Sequence, residues 1–323
     1  MFRIKPYLFL SITLLLGSLW LPGSNEPSSI AWSPLLDLTN YTAVTSIEYT
    51  AEGRAHVLTP RQELRLFEGL RRLEIDDALY WMNGPLVYLD EAWQISKVDL
   101  EQTLAPLVSK MPRPIATQPF VVVIDPGHGG HDPGAVVDDV HEKDIVLHVS
   151  LILQKKLAAK GATSLLTRTN DTFIALEERP VVARQLGASI FVSVHANQAS
   201  SSFAAGIESF ILPAAGFPGT SNSRAPYQQS LTANRFDIQN LLLADALHRH
   251  LIKRTGAFDR GIKRERFAVL RDAPCPALLV EIGFMSNPTD FANLRNPHWI
   301  DKLTDALCDG ILAYMPATGD EPL

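Results

Sequence analysis

From residue 120 onward, short apolar runs of four to seven residues alternate with longer helical stretches, and this alternation constrains the fold more than any other feature of the chain. Strands are expected near 120–124, 163–168, 189–195, 206–212 and 277–282, with helices near 143–160, 176–186 and 239–253 between them. Such an order implies an α/β fold: a mixed, largely parallel sheet flanked by helices. In open sheets of this kind ligands collect beyond the carboxyl ends of the strands, so polar residues at those ends are the first to weigh. Three ionisable side chains occupy them. His128 follows the strand of VVVIDPGHGG, His195 closes SIFVSVH, and Glu281 closes ALLVE.

The glycines around His128 suggest a phosphate loop, but neither the Lys-Ser/Thr of a P-loop nor the spacing of a dinucleotide fingerprint is present. Two histidines and a carboxylate from separate elements are instead a set able to hold zinc in three positions and leave a fourth for water. Glu142 is the best third ligand, because the helix beginning at HEKDIVL directs its first turn toward the end of the first strand. Asp144 and His141 are its rivals. His131 and His141 read as exposed loop residues, and Asp144 as a charge supporting the helix start. Any one of these histidines alone is better explained as a half-buried core residue; their joint position shifts the balance. Glu281 follows four apolar residues, where an unpaired charge would be costly. It is therefore paired, protonated, or a base beside a metal, and an ion pair with Arg168 or Arg271 is the plain structural alternative.

Other features bound the partners. A net charge of -6 offers no basic stripe for nucleic acid. Cys275 and Cys308 are the sole cysteines and form no CxxC pair, so a cysteine zinc site is excluded; the expectation is two separate buried thiols. Arg3 and Lys5 precede an apolar run from Tyr7 to Leu21 that breaks at Pro22-Gly23, the order of a secretory signal over residues 1–25. The run falls short of the ~20 residues that span a bilayer. Residues 30–111 read as a small α+β accessory domain with hairpin turns at Glu52-Gly53 and Asn83-Gly84 and a short helix over 98–108. Residues 112–118 read as a Pro-containing linker, 119–316 as the α/β domain that carries the candidate ligands, and 317–323 as a tail.

Taken in order, VVVIDPGHGGHDPGA, EKDIVL, LTRTNDTFIALEERPVVA, ASIFVSVHAN, GIESFIL and RGIKRERFAVLRDAPCPALLVEIGFMSNPTD resemble the zinc-dependent N-acetylmuramoyl-L-alanine amidases of the AmiC/CwlV type, over about Phe120 to Met315. The resemblance implies one Zn2+ held by His128, Glu142 and His195, with Glu281 as the catalytic glutamate. It implies peptidoglycan as substrate, hydrolysed at the amide between the muramic acid lactyl group and L-Ala, by an exported enzyme of the periplasm or cell envelope. Arg168, Arg179, Asn197, Glu208 and Asn287 fall on further motif positions, as structural supports or substrate contacts. Some relatives carry an inhibitory helical insertion; here its place, 213–230, is a short Pro/Gly/Ser-rich loop, so that mode of regulation is not expected. The N-terminal unit resembles copper amine oxidase N-terminal-like modules weakly, which suggests an activator or wall contact and implies no copper. A monomer is the default. The competing readings are a wall-binding protein without turnover, for which Glu281 has no use, and a zinc hydrolase acting on another amide.

Overall fold

The computed structural model describes residues 30–109, 119–221 and 229–316; the expected signal segment, linker and tail lie outside the described residues. In the first described segment the strands are β1 (Trp32–Pro34), β2 (Ser46–Tyr49), β3 (Arg54–Leu58), β4 (Glu63–Phe67), β5 (Arg72–Ile75), β6 (Ala78–Trp81), β7 (Val87–Leu89) and β8 (Ala92–Ser96), followed by helical turns over 97–108. The α/β part contributes β9 (Val121–Pro126), a two-residue hairpin of β10 (Val136–Val137) and β11 (Val140–His141), β12 (Thr163–Leu166), β13 (Ile190–Asn197), β14 (Ile207–Ile211), β15 (Asp259–Arg264) and β16 (Ala277–Phe284).

The expected mixed sheet is present. β12, β9, β13 and β16 run parallel in that spatial order, and β14 joins β16 antiparallel. Period-2 alternation divides their side chains between two layers. Val122, Ile124, Val192, Val194, Leu278 and Val280 face one continuous core, to which the helices Glu142–Ala159, Asp237–Thr255 and Pro297–Tyr314 contribute Val146, Leu243 and Leu307. Val123, Phe191 and Leu279 face a smaller core on the other side. On that second face, apolar residues give way to Ser193, His195 and Glu281 toward the strand ends, so the polar site begins where the smaller core stops.

The N-terminal unit is mainly β, and its strands continue the sheet of the α/β part. β15 meets β6 in parallel at Ile262 and Tyr80, and β5, β4, β3 and β2 follow antiparallel, making one sheet of eleven strands. The turn before β3 holds Glu52-Gly53 as expected, with Gly53 at φ 72. Asn83-Gly84 makes no hairpin, contrary to expectation: β6 and β7 belong to different sheets, and this dipeptide carries the chain between them. The reason is tertiary. The Asn83 and Gly84 amides and the Asn83 side chain donate to the buried Asp99 carboxylate at 2.8, 2.7 and 3.0 Å, and that anchor outweighs the local turn preference. The two-residue hairpin of this region lies instead at Asp90-Glu91, both at positive φ, joining β7 to β8. Cys275 and Cys308 are free and buried, as expected.

Candidate metal and catalytic site

The turn after β9 is shaped from beneath by buried polar groups. Asp125, fully buried, accepts hydrogen bonds from Thr167 and Ser193 and pairs with Arg179 at 2.9 Å. Arg179 also holds the carbonyls of Pro126 and His128, while Arg168 donates to those of Pro126, Gly127 and Lys143. Both arginines therefore brace the backbone. This bracing supports His128 at φ 59, a left-handed conformation uncommon for residues other than glycine. Gly127 is required for a different reason: a Cβ there would lie 2.3 Å from Cε1 of His195.

The three expected ligands come together. Oε1 of Glu142 is 3.1 Å from Nε2 of His128 and 3.0 Å from Nδ1 of His195, and one donor atom from each residue lies within 4.8 Å of the others. The two rings are edge-on, 4.9 Å apart. Glu142 is fixed by the amides of Ala196 on Oε1 and Ala135 on Oε2, each at 3.0 Å. The rivals Asp144 and His141 stand outside this cluster, 3.5 Å from each other, and the ring of the loop residue His131 packs on Phe173. Burial would by itself raise the Glu142 carboxyl, but the hydrogen bonds from His128 and His195 overcome it and hold the group well below the usual carboxylate range. For His128 the balance is reversed; burial lowers the ring, and Glu142 and Asp132 together raise it.

Asp132 was missed by sequence reasoning. Its Oδ2 lies 2.8 Å from Nδ1 of His128 and fixes the ring with Nε2 toward the cluster. A carboxylate on the outer nitrogen of a metal-ligating histidine is a common support, and an Asp four residues after the His of HGGHD was the available signal.

Glu281 lies beside His195 and Glu208 in the sheet register, in β16 between β13 and β14. It is 9 % exposed, and its Oε2 is buried without a hydrogen-bond partner. Burial, then repulsion from Glu142 and Glu208, push its pKa well above the ordinary value, against the attraction of Lys263. The structural alternative does not hold, because Arg168 spends its donors on backbone carbonyls and no ion pair to Glu281 forms among the described residues. Asn197 donates to Glu208, and Asn287 caps the helix Pro288–Leu294 while its Nδ2 reaches the Ser202 carbonyl. The donor set of two imidazoles and one carboxylate suits a divalent ion with an open coordination position, and an unpartnered carboxyl beside it is what a proton-transfer group requires.

The cluster at the strand ends of this α/β sheet defines a protein with a candidate metal site of two imidazoles and one carboxylate. Comparison with known proteins narrows it: the family model described as N-acetylmuramoyl-L-alanine amidase matches residues 122–313, and the chain belongs to that family. It is 33% identical to N-acetylmuramoyl-L-alanine amidase LytC of Bacillus subtilis over 193 residues, which is 60% of this chain and 35% of that protein. The sporulation-specific N-acetylmuramoyl-L-alanine amidase of the same organism is 33% identical over 192 residues, 59% of this chain and 66% of the relative. The chain thus spans about a third to two thirds of the length of these relatives. The solved catalytic domain of CwlV from Bacillus (Paenibacillus) polymyxa superposes with a TM-score of 0.51 at 32% identity, covering 60% of this chain and 97% of that one. The amidase of Clostridium difficile gives 0.52 at 29% identity, covering 62% and 98%.

Proposed function

We propose that this protein is a zinc-dependent N-acetylmuramoyl-L-alanine amidase, with His128, Glu142 and His195 as metal ligands and Glu281 as the catalytic acid/base. The observation that carries this reading is the meeting of two imidazoles and a carboxylate within 4.8 Å, next to a buried carboxyl oxygen with no partner. His128, Glu142 and His195 would hold the zinc, which would supply Lewis acidity for activating water and polarising the scissile carbonyl. The remaining work falls to the chain. Asp132 keeps Nδ1 of His128 occupied, so that Nε2 points to the cluster. The amides of Ala135 and Ala196 keep Glu142 from swinging away. Glu281 takes a proton from the attacking water and delivers it to the nitrogen of L-Ala as the amide opens. Burial, with repulsion from Glu142 and Glu208, raises this carboxyl from its usual range, which favours proton uptake from the water.

The substrate lies in the cell wall, which fits the expected secretory segment and a periplasmic or envelope location, with roles in wall remodelling or daughter-cell separation. Glu281 favours catalysis over wall binding alone, since a binder gains nothing from burying an unpaired carboxyl. The test is mass spectrometry of fragments released from purified sacculi, with chelator and with zinc restored. Free stem peptides beside intact glycan, lost with chelator and regained with zinc, are expected. Cleavage within the stem would overturn the assignment.

A further inference from the structure

The site does not stop at Glu281. His195, Glu281 and Glu208 lie abreast on three neighbouring strands, and a fourth strand extends the row. Between the register pairs Ile207 with Asp259 and Ser209 with Ile262, one residue of β14 faces two of β15, Arg260 and Gly261, so β15 is bulged there. Gly261 permits the bulge: it sits at φ +85, and a Cβ would come 2.8 Å from the Leu79 carbonyl oxygen. Bulges redirect side chains, and they recur beside active sites for that reason. This one brings Arg260 onto Glu208, with Nε 2.7 Å from Oε2.

Arg260 is held on two sides. Its guanidinium carbon lies 4.7 Å from the centre of the Phe284 ring, and Phe284 ends the strand that carries Glu281. Its side chain remains 28% exposed, and among the described residues its terminal nitrogens donate to no protein acceptor. Glu208, nearly fully buried, is already saturated by Arg260, by Lys263 at 2.5 Å and by Asn197 at 2.8 Å. Two cations on one carboxylate, with the exposed guanidinium pinned by its Nε, leave a planar fork of N–H groups at the rim. A second carboxylate is the group that geometry fits.

We propose that Arg260 binds the free carboxylate of the acidic residue that follows L-Ala in the peptide stem, and so sets the enzyme's stem-peptide preference. The inference rests on the amidase reading and adds the direction in which substrate lies, with glycan away from β15 and stem along the row toward it. The distances agree. Strands are spaced by ~4.8 Å, so β15 runs about 10 Å from the strand of Glu281. A carboxylate two residues beyond the scissile carbonyl reaches about 7 Å along an extended stem, and the long arginine side chain spans the difference.

The experiment uses the zinc-loaded full chain and two soluble muropeptides that differ solely in that group, free carboxylate or carboxamide. Wild type is expected to prefer the carboxylate in kcat/KM by about tenfold, the scale of one charge-assisted contact, mainly through KM. Arg260→Gln should bring that ratio close to one, and Arg260→Lys, which keeps the charge but not the fork, should give an intermediate ratio. A purely structural role for Arg260 would change both substrates alike and leave the ratio where it was. A wild-type ratio near one, which requires no variant, overturns the inference, as does an Arg260→Gln ratio equal to that of wild type. If wild type cleaves neither muropeptide, the amidase reading fails and this inference fails with it, which separates the two cases.

Discussion

Asp99 in the N-terminal unit and Glu281 in the catalytic sheet are both buried carboxyls, and their surroundings are opposite. Asp99 accepts from the Asn83 amide and side chain, the Gly84 amide, Ser96 and Thr103, and Thr103 is in turn bonded to Arg264 of β15. Glu281 has one buried oxygen that accepts nothing. A carboxylate that collects donors from several segments ties them together; one kept without donors retains its proton affinity for chemistry. The difference teaches that burial alone does not distinguish a structural carboxyl from the proposed acid/base: Asp99 is saturated by donors, whereas Glu281 keeps one oxygen without a partner.

The sharpest way to break this comparison is Glu281→Gln. It should lower the amidase rate by about 10²–10⁴, with zinc still bound and the unfolding temperature unchanged or raised, because a poorly solvated acid is removed. Near wild-type peptide release from sacculi would end the acid/base assignment. Asp99→Ala should do the reverse, costing about 3–5 kcal/mol of stability by leaving several donors unpaired, as measured by denaturant unfolding, while the fraction still folded keeps its turnover. Asp132→Asn falls between these two, since Asp132 acts through His128: a zinc affinity weakened by about 10–100-fold is expected in competition with a chromophoric chelator. The most gradual effect concerns Asp237, another buried carboxyl. Burial first of all pushes it up to about 6, against the hydrogen bond from Asn234. Its folded pKa exceeds the unfolded value, so its contribution is most favourable below about pH 4 and is lost as pH rises to about 6, on the order of 2–3 kcal/mol. Asp237→Asn should flatten that part of the stability-versus-pH curve, and an unchanged slope would show the carboxyl to be better solvated than its burial implies.

Much of the α/β part was legible in the sequence, since β9, β12, β13, β14 and β16 each stand out as a short apolar run, while the two-residue strands β10 and β11 are too short to carry a period. β15 escaped because Arg260, Lys263 and Arg264 interrupt its apolar pattern, and those charges are there to serve Glu208 and the Asp99 network. The helix expected from 176 begins at Arg179, whose following residue Pro180 sits in the first turn. Glu142 could be chosen over Asp144 because a helix start points its first residue back at the preceding strand. Asp132 was passed over because it lies in a turn, where spacing gives no face.

The N-terminal unit was the less legible half. Its strands were visible, but their continuation of the catalytic sheet depends on contacts such as Leu79 with Asp259, 180 residues apart, and Asn83 with Ala214, 131 apart. Arg71 adds to this junction by donating to the carbonyls of Pro218 and Gly219. No local period encodes pairings at that range, and the buried Asp99 carboxylate, 15 to 16 residues further on, turned Asn83-Gly84 from the expected hairpin into a crossing between sheets.

The sequence by itself determined the alternation of buried strands and helices, and with it the placing of His128, His195 and Glu281 at strand ends, because side-chain periodicity and the strand-end rule act over a few residues. Only the tertiary structure decided that Asp99 is saturated while Glu281 is not, and that a bulge at Gly261 sets Arg260 on Glu208. Hydrogen-bond satisfaction and sheet register depend on which distant strands come to lie side by side.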